Sequence, residues 1–184
     1  MRKIICISGD LASGKSVVSR IVAEKLKYEL FSAGRIFRQL AEEKGISVLE
    51  LNTLAETSQE IDNMIDSNLI EIGLKQENII LDSRMAWHFV KESFKIYLTV
   101  DHLEAAKRVL QDKRGTTEKY NNIDEALEGL AQRRAAESKR YLSKYGVDIS
   151  NLDNYQLVVD TTCKSAEQVA KLIIDKYAVY LQHH

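Results

Sequence analysis

The sequence contains no proline, where average usage of about 5% would place roughly nine. The fold therefore cannot depend on a cis X-Pro bond or on a proline-stiffened linker. Internal repeats, low-complexity tracts and linker-like segments are absent too. These absences favour a single domain over residues 1–184, a length that is sufficient for a sizeable core.

Cysteine is rare and the charge is nearly balanced. Cys6 and Cys163 lie far apart, with neither a C-x-x-C spacing nor a nearby histidine, so we expect two buried, reduced thiols and no metal site built on them. The formal net charge of −1 creates no global field for a polyanion and argues against a nucleic-acid partner. A phosphate ligand would need locally gathered Arg and Lys.

Long hydrophobic runs are missing. The apolar stretch before Gly9 is too short for the core of a signal peptide, and no later run approaches the length that spans a membrane. We therefore expect a cytoplasmic protein with no membrane partner. The composition, 45% apolar and 29% charged, is typical of a globular domain.

The most informative stretch is KIICISGDLASGKS, from Lys3 to Ser16. Its apolar start predicts a buried strand, and the rest has the spacing G-x-x-x-x-G-K-S. Glycines at both ends let the loop curl so that its backbone N–H groups face one concavity, where the phosphates of a nucleotide would bind. Lys15 can reach the β- and γ-phosphates, and Ser16 can place its hydroxyl on Mg²⁺. The predicted phosphate-binding residues are Gly9, Asp10, Leu11, Ala12, Ser13, Gly14, Lys15, Ser16 and Val17.

Apolar periodicity predicts strands that alternate with helices. The strands are expected at residues 4–7, 28–32, 78–82, 94–100 and 155–160, and the helices at 16–27, from 35 onward, 47–55, 58–72, 102–113, 122–144 and 166–181. Capping-box patterns mark three helix starts, at Ser47, Thr57 and Asn122, and Gly73 is predicted to end the helix over 58–72. The alternation indicates an α/β fold with a parallel sheet covered on both faces and an all-helical insertion at about 34–75.

Several strands are followed by residues suited to phosphate or metal. Ligands of open α/β sheets bind beyond the carboxyl ends of the strands. Asp82 ends the third strand, where a carboxylate can hold Mg²⁺ opposite Ser16; the alternative is a solvated turn residue. The other candidates are arginines and a glycine that follow the second, third and fourth strands: Gly34, Arg38, Arg84, Arg108 and Arg114. Arg38 and Arg84 could be phosphate clamps or exposed helix residues.

The long helix from Asn122 places Arg133, Glu137 and Arg140 on one face. Such a stripe is either a solvated salt-bridge face or a clamp for phosphate groups. The loop Arg114-Gly115-Thr116-Thr117 just upstream has the composition of a segment that closes over a nucleotide, which favours the clamp.

These segments resemble the P-loop nucleoside monophosphate kinases and, among them, the archaeal-type cytidylate (CMP) kinases. The similarity extends over nearly the whole chain, through SGDLASGKS, SAGRIFRQLAEE, ILDSRMAW, RRAAESKRYLSKYGVDI and YQLVVDTT. The resemblance implies a three-layer P-loop kinase fold with a five-stranded sheet of order 2-3-1-4-5, a helical monophosphate-binding insertion and a lid at about 114–145. It also implies transfer of the γ-phosphate of ATP to CMP, or to dCMP, with Mg²⁺. We separately expect the protein to be a monomer.

The resemblance also assigns roles to residues. It implies catalytic roles for Lys15, Arg133 and Arg140 and metal roles for Ser16 and Asp82. The composition of its loop separately predicts a place for Arg114 on the ATP side. The acceptor would be bound by Gly34, Arg38, Asp82, Arg84, Arg133, Glu137 and Arg140, and the position of Arg108 after the fourth strand adds it to this set independently of the resemblance. Adenylate kinases carry a proline between the third-strand Asp and Arg, and Asp82-Ser83-Arg84 has none, so the base of the acceptor stays open.

Two other functions remain as alternatives. One is a P-loop kinase that acts on another nucleoside monophosphate or a small alcohol. The other is a regulatory protein that binds ATP and transfers nothing, in which arginines on the acceptor side would have no purpose.

Overall fold

The computed structural model describes residues 2–46, 51, 59–111 and 120–183, except for the side chains of residues 37, 38, 59–62 and 65. Strands β1 to β5 cover Ile4–Gly9, Glu29–Ser32, Ile79–Asp82, Phe94–Thr99 and Leu157–Asp160. The helices of this part of the chain, α1 to α7, cover Lys15–Leu26, Ala33–Lys44, Gln59–Lys75, Ala86–Phe89, His102–Gln111, Ile123–Tyr145 and Ala166–His183, and a 3-10 turn covers Leu152–Asn154. The five predicted strands are thus confirmed.

The sheet is parallel throughout and has the order β2-β3-β1-β4-β5. This is the predicted order. β1 lies at the centre, with Ile4 beside Ile79 and Ile5 beside Phe94. Because parallel strands at the centre of a sheet are covered on both faces, β1 is apolar at consecutive positions instead of at alternate ones.

Alternate residues of the strands pack on opposite faces of the sheet. On one face, Ile5 and Ile7 pack with α1 and α7 in a cluster that includes Ile173 and Tyr177. On the other face, a second cluster gathers side chains from the sheet, α2, α3 and α4: Ile4, Cys6, Leu40, Leu69, Leu81, Trp87 and Val90. The predicted three-layer architecture is therefore present.

A third, smaller cluster lies at the carboxyl edge of the sheet. Leu11 of the phosphate loop packs there with Ala106 of α5 and with Ala126 and Leu130 of α6. The predicted cap of α6 is confirmed, since the Asn122 side chain accepts a hydrogen bond from the Glu125 backbone N–H at 2.9 Å. Packing and capping together fix the start of α6 beside the phosphate loop.

Two expectations are corrected. Gly73 does not end its helix, because α3 continues to Lys75. The glycine instead allows close packing, since a Cβ at this position would overlap Cγ2 of Val90. Cys6 is buried as expected, and burial raises the pKa of its thiol to about 12, whereas Cys163 is exposed.

The predicted helix over 47–55 lies outside the described residues apart from Leu51, as does the loop over residues 114–117. Among the helices of the described ranges, none combines the length and the apolar character needed to cross a membrane.

Candidate active site

The phosphate loop joins β1 to α1 and has the backbone geometry that its glycines predict. A Cβ on Gly9 would lie 2.6 Å from the Leu98 carbonyl oxygen, so only glycine allows the loop to pass this close to β4. Gly14 has a left-handed φ of 80° at the start of α1, and no described atom beyond its neighbours in the chain lies within 4 Å of where its Cβ would be. The Ser13 hydroxyl is buried and has no hydrogen-bond partner among the described residues. The loop thus offers an open cradle and an unused polar group.

Lys15 and Asp82 form an ion pair across this cradle. The Asp82 side chain is only 1% exposed, and its second oxygen accepts a hydrogen bond from the Ser32 hydroxyl at 3.2 Å. The solvated-turn alternative for Asp82 is therefore wrong. Ser16 follows on the first turn of α1 with an exposed side chain. The phosphate loop, the end of β2 and the end of β3 therefore meet at the Asp82 carboxylate.

Arg84, Glu137 and Arg133 form a chain of charges between β3 and α6. Glu137 Oε2 lies 2.7 Å from Arg84 Nε, and Glu137 Oε1 lies 3.2 Å from Arg133 Nε. The Glu137 side chain is 15% exposed, so this part of the stripe is not a solvated face. Arg140 bonds the Tyr141 hydroxyl at 3.1 Å and lies over its ring. Arg84, which follows β3, therefore contacts the predicted stripe of α6 through Glu137.

Arg108 lies on the other side of the phosphate loop, at the β4–β5 end of the sheet. Its guanidinium donates to the carbonyl oxygens of Ala12, at 3.3 Å, and Thr161, at 2.8 Å. It also pairs with Glu104 at 3.0 Å. Since β2 and β3 lie at the opposite end of the sheet, Arg108 is placed away from Gly34 and Asp82, the candidate acceptor residues.

Gly34 is exposed in the first turn of α2. Arg38 lies in the same helix, but its side chain falls outside the described part, and Arg114 is in the segment 112–119 that lies outside it entirely. A half-open cavity of about 270 Å³ lies between α2 and α3, lined by Phe31, Ile36, Gln39, Leu40, Glu43, Met64, Asn68 and Ile72. The predicted insertion therefore contains space beside the β2 end of the site.

α6 runs along the carboxyl edge from the phosphate loop to the insertion. Its 23 residues span about 34 Å. Its first half packs beside the phosphate loop, and at its last turn Tyr145 donates a hydrogen bond to Asp66 of α3. The Tyr145 ring also contacts Phe89 of α4, with 5.4 Å between ring centroids. The helix that carries Arg133, Glu137 and Arg140 thus connects the loop to the insertion.

Sequence reasoning missed one group of this site. Arg134 lies 3.2 Å from Asp10 Oδ1, and the Tyr97 hydroxyl donates to the same oxygen at 3.0 Å. Burial, followed by the adjacent Asp10 carboxylate, raises the pKa of the Tyr97 phenol, which keeps it protonated as a donor. The Arg-Arg pair at 133 and 134 was the available signal, but residue spacing does not identify the carboxylate that each arginine meets.

A glycine-bounded phosphate loop after the central strand of a 2-3-1-4-5 parallel sheet, facing charged groups from β3 and α6, defines a P-loop kinase. A sequence profile of the cytidylate kinase-like family matches residues 4–163, so the chain belongs to that family.

Individual relatives agree. The chain is 36% identical over 174 residues to a cytidylate kinase of Sulfurisphaera tokodaii, and the matched region covers 92% of each protein. It is 38% identical over 160 residues to a cytidylate kinase of Methanosarcina mazei, covering 85% of this chain and 86% of the relative. The structure superposes on shikimate kinase from Bacteroides thetaiotaomicron with a TM-score of 0.72 at 15% identity, covering 97% and 99% of the two chains, which shows a shared fold.

Proposed function

We propose that this enzyme transfers the γ-phosphate of ATP to CMP and forms ADP and CDP. The observation that carries the proposal is the meeting of the phosphate loop, the β3 carboxylate Asp82 and the arginine-bearing helix α6 at one edge of the sheet. Membership of the cytidylate kinase-like family supports the same reaction. A binding protein that transfers nothing would need only the first of these three parts.

The donor would bind on the β4–β5 side of the edge. The loop over residues 9–17 would bind the phosphates of ATP through the buried Ser13 hydroxyl and the backbone N–H groups that face the cradle, whereas the N–H groups of Asp10 and Val17 already donate to the carbonyl oxygens of Leu98 and Gly14. Lys15 would leave Asp82 for the β- and γ-phosphates, since its ammonium group is held by a single carboxylate that the ligand can replace. The position of Arg108 between the loop and the end of β5 supports a role on this donor side, alongside Arg114.

The residues around Lys15 also fit a magnesium ion. Mg²⁺ prefers oxygen ligands, keeps several waters and uses one or two protein groups plus substrate phosphates. Ser16 and Asp82 supply a hydroxyl and a carboxylate of that kind, and residues 2–46, 59–111 and 120–183 contain no cluster of three or more His, Cys, Asp or Glu that would form a dedicated metal cage. When bound there, Mg²⁺ would neutralise charge on the transferring phosphate.

The acceptor would bind on the β2–β3 side. Arg84, Arg133 and Arg140 supply positive charge, with Glu137 holding the first two in place, while Gly34 and Arg38 of α2 would bind the monophosphate. The cavity between α2 and α3 offers space for the nucleoside.

An ionised phosphate oxygen of CMP is already a nucleophile, so in-line attack needs orientation and charge stabilisation instead of a general base. Lys15, Arg133 and Arg140 would supply that charge. Closure of a lid at about 114–145 would exclude water and prevent loss of ATP by hydrolysis.

We further propose that the enzyme works as a cytoplasmic monomer without a nucleic-acid partner. The net charge of −1 supports the absence of a nucleic-acid partner, because it creates no global field that would attract a polyanion. Light scattering would test the monomeric state, and RNA-binding assays across salt concentrations would test the absence of a nucleic-acid partner.

An acceptor panel tests the main proposal. ADP release from Mg-ATP would be measured with CMP, dCMP, UMP, AMP, GMP and no acceptor. We expect the highest kcat/KM with CMP and a lower value with dCMP. A higher kcat/KM with another nucleotide would mean that this nucleotide, and not CMP, is the substrate. ATP hydrolysis that no acceptor accelerates would favour the regulatory alternative.

A further inference from the structure

Asp10 places a negative charge inside the phosphate loop. It is the first residue after Gly9, and its side chain is 13% exposed. Its two oxygens accept hydrogen bonds from the Tyr97 hydroxyl, at 3.0 Å, and from the Val100 backbone N–H, at 3.2 Å. These neutral donors hold the carboxylate in place but do not cancel its charge. A triphosphate that binds to the same loop would therefore meet a like charge unless a cation compensates for it.

Arg134 is that cation. Its Nη2 atom lies 3.2 Å from Asp10 Oδ1, and its Nη1 atom lies 2.8 Å from Nε2 of His102, which fixes the guanidinium from α5. Within the described ranges, this is the one ion pair of Asp10. The other two cations of the loop region are already committed, Lys15 to Asp82 and Arg108 to Glu104 and backbone carbonyls.

We propose that Arg134 is a positioning residue for the donor site: reaching the phosphate loop from α6, it neutralises the Asp10 carboxylate, so that the loop can bind ATP without repulsion from its own charge. The proposal rests on the ATP binding of the proposed function. It assigns the adjacent arginines to different partners, since Arg133 pairs with Glu137 and Arg134 with the loop.

Equilibrium binding of Mg-ATP without any acceptor, measured by calorimetry, tests this. We expect Arg134→Ala to weaken ATP binding about tenfold, because the Asp10 charge is left uncompensated in a partly buried position. Arg134→Lys should keep most of the affinity. The matched control is Lys139→Ala, which removes an exposed cation from the same helix and should leave the affinity unchanged.

The decisive variant is the double substitution Asp10→Asn with Arg134→Ala. With no charge left to compensate, its ATP affinity should return to within about twofold of the wild-type value. A merely structural Arg134 would not be rescued in this way. The deficit of Arg134→Ala should also shrink at high salt, a second measurement that does not require the Asp10 variant to fold.

Unchanged ATP binding in Arg134→Ala, or a deficit that neither Asp10→Asn nor salt reduces, would overturn the proposal. If wild-type protein binds ATP but does not phosphorylate CMP, only the substrate assignment fails and the Arg134 comparison still decides this proposal. If wild-type protein binds no ATP, both fail.

Discussion

The carboxyl edge of the sheet and the face covered by α1 and α7 are held together by different kinds of contact. The edge contains the ion pairs of Lys15 with Asp82, Arg84 with Glu137, and Arg134 with Asp10. The face is an apolar cluster in which Ile5, Ile7 and Ile173 are fully buried. Asp82, the one buried charged side chain of the described residues, lies at the edge.

Only the contacts at the edge can be exchanged for contacts with a bound ligand. A charge pair at the edge can be replaced by a phosphate or a metal ion, because the ligand offers the same kind of interaction. An apolar contact inside the face has no such substitute, since its free energy comes from the exclusion of water. We therefore expect changes at the edge to affect activity and changes in the face to affect stability.

The largest expected effect is that of Lys15→Ala at the edge. Removal of the cation that reaches the transferring phosphate should lower kcat/KM about 10³-fold, measured by ADP release. The fold should survive, but Asp82 then keeps only its bond from Ser32, so stability should fall by about 1–3 kcal/mol. Near-normal turnover would contradict the assignment of this loop.

The double variant Lys15→Ala with Asp82→Asn is the control for that experiment. Without the buried charge, the free energy of unfolding should recover while activity stays lost. Recovery of both would mean that the first variant had failed through misfolding.

The next largest effect is expected for Ile173→Ala, in the face covered by α1 and α7. Ile173 is fully buried on α7, and its truncation should reduce the free energy of unfolding by about 3 kcal/mol, measured by urea denaturation. The kcat of the folded fraction should stay at the wild-type value. Val179→Ala, on the same helix but 49% exposed, should change stability by less than about 0.5 kcal/mol. A specific loss of kcat in Ile173→Ala would break the separation between edge and face.

Arg133→Ala should have a smaller effect than Lys15→Ala. Glu137 keeps its bond to Arg84, so the unfolding free energy should change by less than about 1 kcal/mol. Loss of a cation from the acceptor side should lower kcat/KM for CMP about 10²-fold, whereas Lys139→Ala should have no effect. An unchanged kcat/KM would return Arg133, which is 43% exposed, to the solvated-face interpretation.

Gly73→Ala should give the smallest effect and tests a position outside both regions, where α3 packs on Val90 in the cluster on the opposite face of the sheet. The new methyl group collides with Val90, but alanine also favours the helix, so we expect a net loss of about 1 kcal/mol. Because α3 belongs to the insertion, KM for CMP should rise as well. In the double variant Gly73→Ala with Val90→Ala the collision should be relieved, so the two losses of stability should add up to more than the loss in the double variant. Additive losses would contradict this packing account.

Local signals were enough to predict the phosphate loop, the five strands and the cap at Asn122, because each depends on residues that are neighbours in sequence. The strand order came from resemblance to a family, since periodicity carries no information on which strands pair. Gly73 was misjudged because its reason, the contact with Val90, is tertiary. Arg133 and Arg134 are adjacent on a helix, so their different partners depend on how α6 crosses the edge, which no spacing reveals.

The central position of β1 has a consequence for synthesis. Its pairing partners, Ile79 and Phe94, are made long after Ile4 and Ile5, and Gly9 reaches its final place only against Leu98. Contacts so distant in sequence make folding slow, because a long loop must close before any of them forms. A nascent chain of which only β1 and α1 have been synthesised therefore contains the complete phosphate-loop sequence but lacks β4, against which the loop packs. We therefore expect the phosphate loop to reach its binding-competent shape only after β4 has been synthesised.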